Sequence, residues 1–189
     1  MNIELFGASF DPPHNGHKEV VQGVLGLGIF DEVKLVPAKQ HPFSKQLSPD
    51  EYRLAMLKLF LEDFKGQPVQ IDTFELNKDG VSYSYQTLMH FAQTYPEDTF
   101  AWLIGSDNLP SFKKWYEWQA LLDRFPVYVY PRPGHPMSPL LLGMIPLPEV
   151  EGVAISSTEV RNRVKAGQEI YGLVGQSVAA YINEHNLYR

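Results

Sequence analysis

Two histidines lie three positions apart near the start of the chain, in the segment His14-Asn15-Gly16-His17. An apolar run at residues 3–6 precedes them, and a stretch that can form a helix, residues 18–27, follows. Residues at this spacing share one face of a helix, so the two imidazoles are predicted to lie side by side. The first turn of a helix presents unpaired N–H groups and the positive end of its dipole. Imidazoles at such a turn can donate hydrogen bonds to phosphoryl oxygens, so the segment predicts a phosphate site.

A second candidate phosphate site lies near the other end of the sequence, where Ser156, Ser157 and Thr158 follow a short apolar run. Hydroxyl and backbone N–H groups at the start of a helix bind phosphate, and the guanidinium of Arg161 supplies a planar, permanent positive charge. The same residues also fit a purely structural interpretation. In that case Ser156 and Glu159 form a capping box, and Arg161 is a solvated helix residue.

Both segments match signatures of one enzyme superfamily. Residues 14–17 resemble the HxGH signature of the nucleotidyltransferases, and residues 155–161 resemble the ISSTxxR signature that accompanies it in adenylyltransferases. The segments 82–87, 105–107, 115–117 and 132–134 read SYSYQT, GSD, WYE and RPG, and they add a resemblance to the bacterial nicotinate mononucleotide adenylyltransferases. This resemblance covers nearly the whole chain. It implies adenylyl transfer from ATP to nicotinate mononucleotide, which yields deamido-NAD and pyrophosphate.

The resemblance implies three groups of site residues. The catalytic group is His14, His17 and Arg161; the ATP-binding group is Gly7, Ser9, Phe10, Gly16, Gly105, Asp107, Arg132, Ser156, Ser157 and Thr158; the acceptor-binding group is Lys39, Ser84, Thr87, Trp115 and Tyr116. An aromatic face attracts a cationic pyridinium ring, which makes Trp115 the natural platform for the acceptor. A plain structural role stays open for each residue: Asp107 can cap the helix that follows, and Lys39 can be a solvated loop lysine.

Cofactor and acceptor depend on two further expectations. Mg²⁺ is expected on the triphosphate, with water and phosphate ligands and without a metal site built from protein side chains. The loop at residues 37–45 departs from the pattern of the family, because its histidine is displaced or replaced by Phe43. Transfer to nicotinamide mononucleotide or to another phosphorylated acceptor therefore stays open. A nucleotide-binding regulator that has lost turnover is the alternative from another class, and the intact histidine motif with Arg161 argues against it.

Composition narrows the class and the partners. The chain has no cysteine, which excludes a disulfide framework, a thiol nucleophile and cysteine-based metal sites. Its net charge of −6 argues against a nucleic-acid partner. Its start lacks the features of a signal peptide, and no apolar run is long enough to cross a bilayer, so we expect a cytoplasmic protein without a membrane partner. The expected partners are ATP and nicotinate mononucleotide, and an oligomer stays open.

Apolar runs that favour strands alternate with stretches that favour helices. Strands are predicted at 3–6, 33–36, 69–74, 100–104, 127–130 and 153–155, and helices at 18–27, 49–64, 83–94, 115–124, 156–166 and 176–185. Such alternation is typical of βαβ units. The run at 100–104 is apolar at every position, as a sheet covered on both faces requires. We therefore predict one α/β domain over residues 1–189, with a Rossmann-like, doubly wound, mostly parallel sheet. The proline-rich stretch 131–148 is predicted to be a surface excursion.

Overall fold

Strands and helices alternate along the chain. The computed structural model describes residues 1–40 and 46–189. Its strands are β1 (Asn2–Ala8), β2 (Glu32–Pro37), β3 (Val69–Ile71), β4 (Thr99–Gly105), β5 (Val127–Tyr130) and β6 (Met144–Pro146). Its α-helices are α1 (Asn15–Gly26), α2 (Asp50–Leu61), α3 (Phe74–Asn77), α4 (Ser84–Thr94), α5 (Trp118–Arg124), α6 (Ser157–Lys165) and α7 (Gln176–Glu184). Two 3₁₀-helices, Glu62–Phe64 and Ser106–Lys114, complete the described elements. None of the described helices combines the length and the apolar character needed to cross a bilayer.

The six strands form one parallel sheet in the order β3-β2-β1-β4-β5-β6. The central strand β1 pairs with β2 on one side and with β4 on the other, where Leu5 lies opposite Trp102. The chain thus builds one half of the sheet outward from β1 and then returns to build the other half from β4. This is the doubly wound arrangement, and the predicted fold class is confirmed, with every strand pair parallel.

Helices cover both faces of the sheet, and each face has its own apolar core. Side chains alternate between the faces along a strand, so Leu5 and Trp102 point to one face while Phe6 and Leu103 point to the other. The first face packs against α4 and α5, and the second against α1, α2, α6 and α7. This double coverage explains why β4 is apolar at every position from Phe100 to Ile104.

The sequence predictions were wrong at three places in the sheet and its connections. The strand predicted at 69–74 ends at Ile71, because Phe74 already begins the short helix α3. The helix predicted at 115–124 begins at Trp118, since Trp115 closes the preceding 3₁₀-helix. The strand predicted at 153–155 is absent: the sixth strand lies at 144–146, inside the stretch predicted as an excursion.

The segment that leads into α6 crosses the carboxyl end of the sheet, which explains the error at 153–155. Strand β5 is already paired on its outer side with β6, where Val127 lies opposite Met144. Gly152 packs against the backbone of Pro131 just beyond β5, and the carbonyl of Ile155 lies beside Gly16 at the start of α1. This crossing brings the beginning of α6 next to the beginning of α1.

Candidate active site

A cleft with a volume of about 790 Å³ lies at the carboxyl ends of β1, β4 and β5. The order of the strands reverses between β1 and β4, and open α/β sheets bind their ligands at such a point. Most of the predicted site residues lie on the wall of this cleft, although they come from distant parts of the sequence. They are Gly7, Ser9, Phe10, His17, Ser84, Gly105, Asp107, Trp115, Tyr116, Arg132, Ser157, Thr158 and Arg161.

The two histidines of the first motif cap helix α1 and hold each other in place. His14 is the N-cap, and its Nδ1 accepts a hydrogen bond from the backbone N–H of His17 at 3.3 Å. The Nδ1 of His17 accepts in turn from the backbone N–H of His14 at 3.2 Å. The rings are stacked, with centroids 3.7 Å apart. In a neutral imidazole whose Nδ1 accepts, the proton sits on Nε2, so each ring keeps one N–H donor at Nε2.

The environment keeps both imidazoles neutral in the free protein. Burial, with a smaller contribution from the positive charge of Arg132, lowers the pKa of His14 from 6.5 to about 3. Burial and then the neighbouring His14 and Arg132 lower the pKa of His17 well below its usual range. The ring of His17 lies on the cleft wall, whereas His14 is only 2% exposed and lies behind it. The Nε2–H donor of the neutral His17 ring is therefore available to a ligand at neutral pH.

The start of α6 is tied directly to the loop after β1. Ser156 is the N-cap and accepts from the N–H of Glu159 at 3.1 Å. The hydroxyl of Ser157 donates to the carbonyl of Pro12 at 2.9 Å. Arg161 donates from Nη1 to the carbonyl of Asp11 at 2.7 Å and from Nη2 to the hydroxyl of Thr158 at 3.2 Å. The two predicted phosphate segments are therefore parts of one cleft wall. Gly16 and Ser156 do not line the cleft: Gly16 packs beside the carbonyl of Ile155, and Ser156 caps α6.

Glycine at the end of β1 lets the cleft floor pass close to the sheet core. A Cβ on Gly7 would lie 2.2 Å from Cζ2 of Trp102, so no larger residue fits without moving that indole. Gly105 at the end of β4 is equally crowded, because a Cβ there would lie 2.4 Å from Oδ1 of Asp107. Both positions keep the backbone accessible from the cleft.

Asp107 and Arg132 face each other at the β4–β5 side of the cleft. Nε of Arg132 lies 3.8 Å from Oδ1 of Asp107. The segment that carries Arg132 is fixed by Ser106, whose hydroxyl accepts from the N–H of Arg132 at 2.9 Å and donates to the carbonyl of His135 at 2.7 Å. A hydrogen-bonding carboxylate and a guanidinium are thus held beside the end of β4.

Aromatic side chains form the opposite end of the cleft. The Trp115 ring lies against Phe112, with centroids 5.0 Å apart, and the Tyr116 ring lies 4.8 Å from that of Tyr83. Ser84 begins helix α4 at the same end. Since one side of Trp115 rests on the core residue Phe112, a flat ring can stack on this aromatic platform.

Two predicted acceptor residues are not on the cleft wall. Thr87 is 1% exposed, and its hydroxyl donates to Glu75 at 2.6 Å. Lys39 forms an ion pair with Asp50 at 2.5 Å. The loop departure at Phe43 lies outside the described residues. The acceptor roles of Lys39 and Thr87 thus remain predictions without a cleft contact to support them.

Several cleft residues were not among the site residues predicted from the sequence. Glu75, Ser82 and Tyr83 line the wall near α4, and burial raises the pKa of the Glu75 carboxyl despite its hydrogen bond from Thr87. Lys114 lines the wall beside the aromatic end. Its position next to the WYE segment was the signal that could have identified it.

The buried residue Arg53 was also missed. It is fully buried and donates to the carbonyls of Ser9 at 2.8 Å and Ser48 at 3.1 Å, so it supports the loop after β1. Its spacing from Met56, Leu57 and Phe60 places it on the buried face of α2, and this was the signal that could have identified it. Among the described residues, no group of three His, Asp or Glu side chains is arranged to hold a metal ion.

The fold and the cleft together define a nucleotide-binding α/β protein of the Rossmann-like class. The cytidylyltransferase-like family model matches residues 5–163. A relative from Anaeromyxobacter sp. strain K is 39% identical over 99% of this chain and 96% of its own, and one from Salinibacter ruber is 37% identical over 100% and 98%. Both carry the name probable nicotinate-nucleotide adenylyltransferase.

A solved structure of this kind has the same fold. The nicotinic acid mononucleotide adenylyltransferase of Plasmodium falciparum, complexed with NaAD, superposes with a TM-score of 0.86 at 21% identity, covering 99% of this chain and 97% of that one. This chain belongs to the cytidylyltransferase-like family and, within it, to the nicotinate-nucleotide adenylyltransferases. The resemblance described from the sequence is thereby confirmed.

Proposed function

We propose that this chain transfers the adenylyl group of ATP to nicotinate mononucleotide, giving deamido-NAD and pyrophosphate, as one nucleotidyltransferase domain acting in the cytoplasm. The observation that carries the proposal is the single cleft on which His17 and Arg161 meet, with an aromatic platform at its other end. Phosphate-binding groups and a ring-stacking surface within one cleft suit a triphosphate and a pyridine mononucleotide held side by side.

The reaction needs no covalent enzyme intermediate. An oxygen of the acceptor phosphate attacks the α-phosphorus of ATP, and the bond from that phosphorus to the oxygen bridging to the β-phosphorus breaks in line. Pyrophosphate leaves with the bond electrons. The protein therefore has to position the two substrates and stabilise the negative charge that develops on the phosphoryl oxygens.

His17 is assigned to the α-phosphate. Its Nε2–H donor is fixed by the hydrogen bond at Nδ1 and by the stacked ring of His14. A preorganised donor that does not need to reorient stabilises charge as it forms. His14 acts from behind by holding His17, since it is nearly inaccessible.

The start of α6 is assigned to the leaving group. Thr158 and Arg161 present a hydroxyl and a positive charge beside the N–H groups of a helix N-terminus on one wall. The hydroxyl of Ser157 donates to the carbonyl of Pro12, so Ser157 offers its backbone N–H at this wall. Arg161 keeps donor capacity after its bonds to Asp11 and Thr158, because a guanidinium carries five N–H groups. ATP would be used as its Mg²⁺ complex, in which phosphate oxygens and water would hold the ion, since Mg²⁺ gives up its waters reluctantly.

The aromatic end is assigned to the acceptor. Trp115 and Tyr116 receive the pyridinium ring. The backbone around Ser9 and Phe10, which the resemblance places in the ATP-binding group, receives the phosphate of the acceptor where the two substrates meet. Gly105, Asp107 and Arg132 are assigned to the adenosine part of ATP at the end of β4.

The test is a pyrophosphate-release assay on the purified chain with ATP and Mg²⁺. Nicotinate mononucleotide, nicotinamide mononucleotide and no acceptor are compared, and the dinucleotide product is identified by mass spectrometry. Turnover with nicotinate mononucleotide as the preferred acceptor supports the proposal. A preference for nicotinamide mononucleotide would show that the reaction is adenylyl transfer as proposed and that the acceptor is a different one. Binding of ATP without pyrophosphate release with any acceptor contradicts the proposal and favours a regulator.

A further inference from the structure

The segment after α7 folds back onto the loop that follows β1. The hydroxyl of Tyr188 donates to Oδ1 of Asp11 at 2.7 Å. The other oxygen of that carboxylate, Oδ2, accepts from the backbone N–H of Ser48 at 3.1 Å. Asp11 is only 2% exposed, so these two donors are its replacement for water. The side chain of Asp11 is therefore held from two directions, one of them a residue 177 positions away.

Tyr188 keeps this contact at a cost in its own backbone. Its φ angle is +65°, in the left-handed region that bulky residues seldom adopt. Such conformations persist where surrounding contacts fix them, and they concentrate at functional sites. Burial, together with the negative charge of Asp11, raises the pKa of Tyr188 far above its usual value, so the hydroxyl stays protonated and keeps donating.

The main chain of Asp11 carries the effect into the cleft. Its carbonyl accepts from Nη1 of Arg161 at 2.7 Å, and the next carbonyl, that of Pro12, accepts from Ser157 at 2.9 Å. The direction in which Arg161 presents its remaining N–H groups thus depends on where Asp11 sits. Neither Tyr188 nor Asp11 lies on the cleft wall itself.

We propose that Tyr188 is a positioning residue for the phosphate end of the cleft, acting through Asp11 on the guanidinium of Arg161. The inference rests on the proposed function, because it assigns Arg161 to the departing pyrophosphate. The role adds a residue to the site that neither phosphate segment contains, because the hydroxyl of Tyr188 orients the positive charge of Arg161.

The experiment removes only that hydroxyl, in Tyr188→Phe. The expected result is a fall in kcat of about tenfold, equivalent to about 1.4 kcal/mol, with the KM for nicotinate mononucleotide within about twofold of the wild type. Tyr181→Phe is the matched control, because Tyr181 lies on α7 and its ring packs on His185, with centroids 4.1 Å apart, whereas the tyrosine hydroxyl bonded to Asp11 is that of Tyr188. It should leave kcat unchanged.

A double-mutant cycle separates positioning from a general structural role. In an Arg161→Ala background, Tyr188→Phe should cause no further loss of kcat, because the group it positions is gone. Independent, additive losses would overturn the inference, as would a Tyr188→Phe enzyme with wild-type kcat. Should that variant fail to fold, Asp11→Asn weakens the same contact from the other partner and enters the same cycle. A wild type that binds ATP without turnover overturns the proposed function, and this inference with it.

Discussion

Replacing His17 separates its structural role in capping α1 from its role toward the phosphate. Asparagine can place a carbonyl oxygen near the position of Nδ1, so His17→Asn can still accept from the backbone N–H of His14, a bond of 3.2 Å in the wild type. It lacks any group at the position of Nε2. Alanine loses both the cap and the ring, which packs against Phe10 with centroids 4.9 Å apart.

The expected magnitudes follow from these two losses. Loss of one preorganised donor to a developing charge costs about 10²–10³ in kcat, or about 2.7–4 kcal/mol. The kcat of both His17→Asn and His17→Ala should therefore be at least about 100-fold below that of the wild type. Loss of the cap costs about 1 kcal/mol, which lowers Tm by about 2–4 °C in a chain of this size. The loss of the cap is expected for alanine alone, whereas both variants lose the contacts of the ring with Phe10 and His14.

The assay is pyrophosphate release under saturating ATP and nicotinate mononucleotide, with Tm measured for each variant. A matched variant is His14→Asn, which retains an N-cap acceptor for the N–H of His17 and leaves the Nε2 donor of His17 in place. It should lose less activity than His17→Asn. Near-normal turnover in His17→Asn would refute the assignment, because it would show that Nε2 contributes nothing to the reaction.

Two further predictions concern a buried carboxyl and a cleft cation. Glu4 is fully buried, neither of its oxygens has a partner among the described residues, and burial raises its pKa well above the usual range. Below its unfolded pKa the carboxyl is neutral in both the folded and the unfolded state, and its titration then does not affect stability. As pH rises from the unfolded pKa through the folded pKa, ionisation increasingly favours the unfolded state, so Glu4→Met should raise Tm more near pH 7.5 than near pH 5. Equal gains in Tm at both pH values would contradict this reasoning. Lys114 lines the cleft beside the aromatic end, so its ammonium can pair with the carboxylate that nicotinate has and nicotinamide lacks. Lys114→Gln should therefore raise the KM for nicotinate mononucleotide about fivefold and leave the KM for nicotinamide mononucleotide unchanged. Lys113→Gln, whose ammonium lies 6.0 Å from the ring centroid of Trp118, should alter neither KM. Equal KM increases with both acceptors would rule out recognition of the carboxylate by Lys114.

Much of the fold was predictable because the central strands are long and strongly patterned. The runs at 33–36, 100–104 and 127–130 all lie inside observed strands, and apart from Lys34 they are apolar because helices cover both faces of the sheet. The edge strand Met144–Pro146 was not predictable in the same way. It has three residues, ends in proline and lies among turns, and only its pairing with β5 makes it a strand. Local pattern carries no information about such a partner.

The phosphate end of the site was predictable because its residues are concentrated in two short segments. The aromatic end was predictable in part: Trp115 and Tyr116 line the cleft, but Thr87 points into a buried contact with Glu75. Pairings of this type depend on tertiary distance and leave no periodic trace in the sequence. The contact between Asp11 and Tyr188, residues separated by nearly the whole sequence, is hidden for the same reason.

The two borders of the sheet limit how this protein can associate with other chains. The outermost strands, Val69–Ile71 and Met144–Pro146, have three residues each, and the second ends in a residue without an N–H. Short edge strands are poor templates for an incoming strand, and a proline in an edge strand weakens the template further. Growth of the sheet by addition of a foreign strand is therefore disfavoured, and the long, apolar strands that could seed aggregation stay enclosed at the centre.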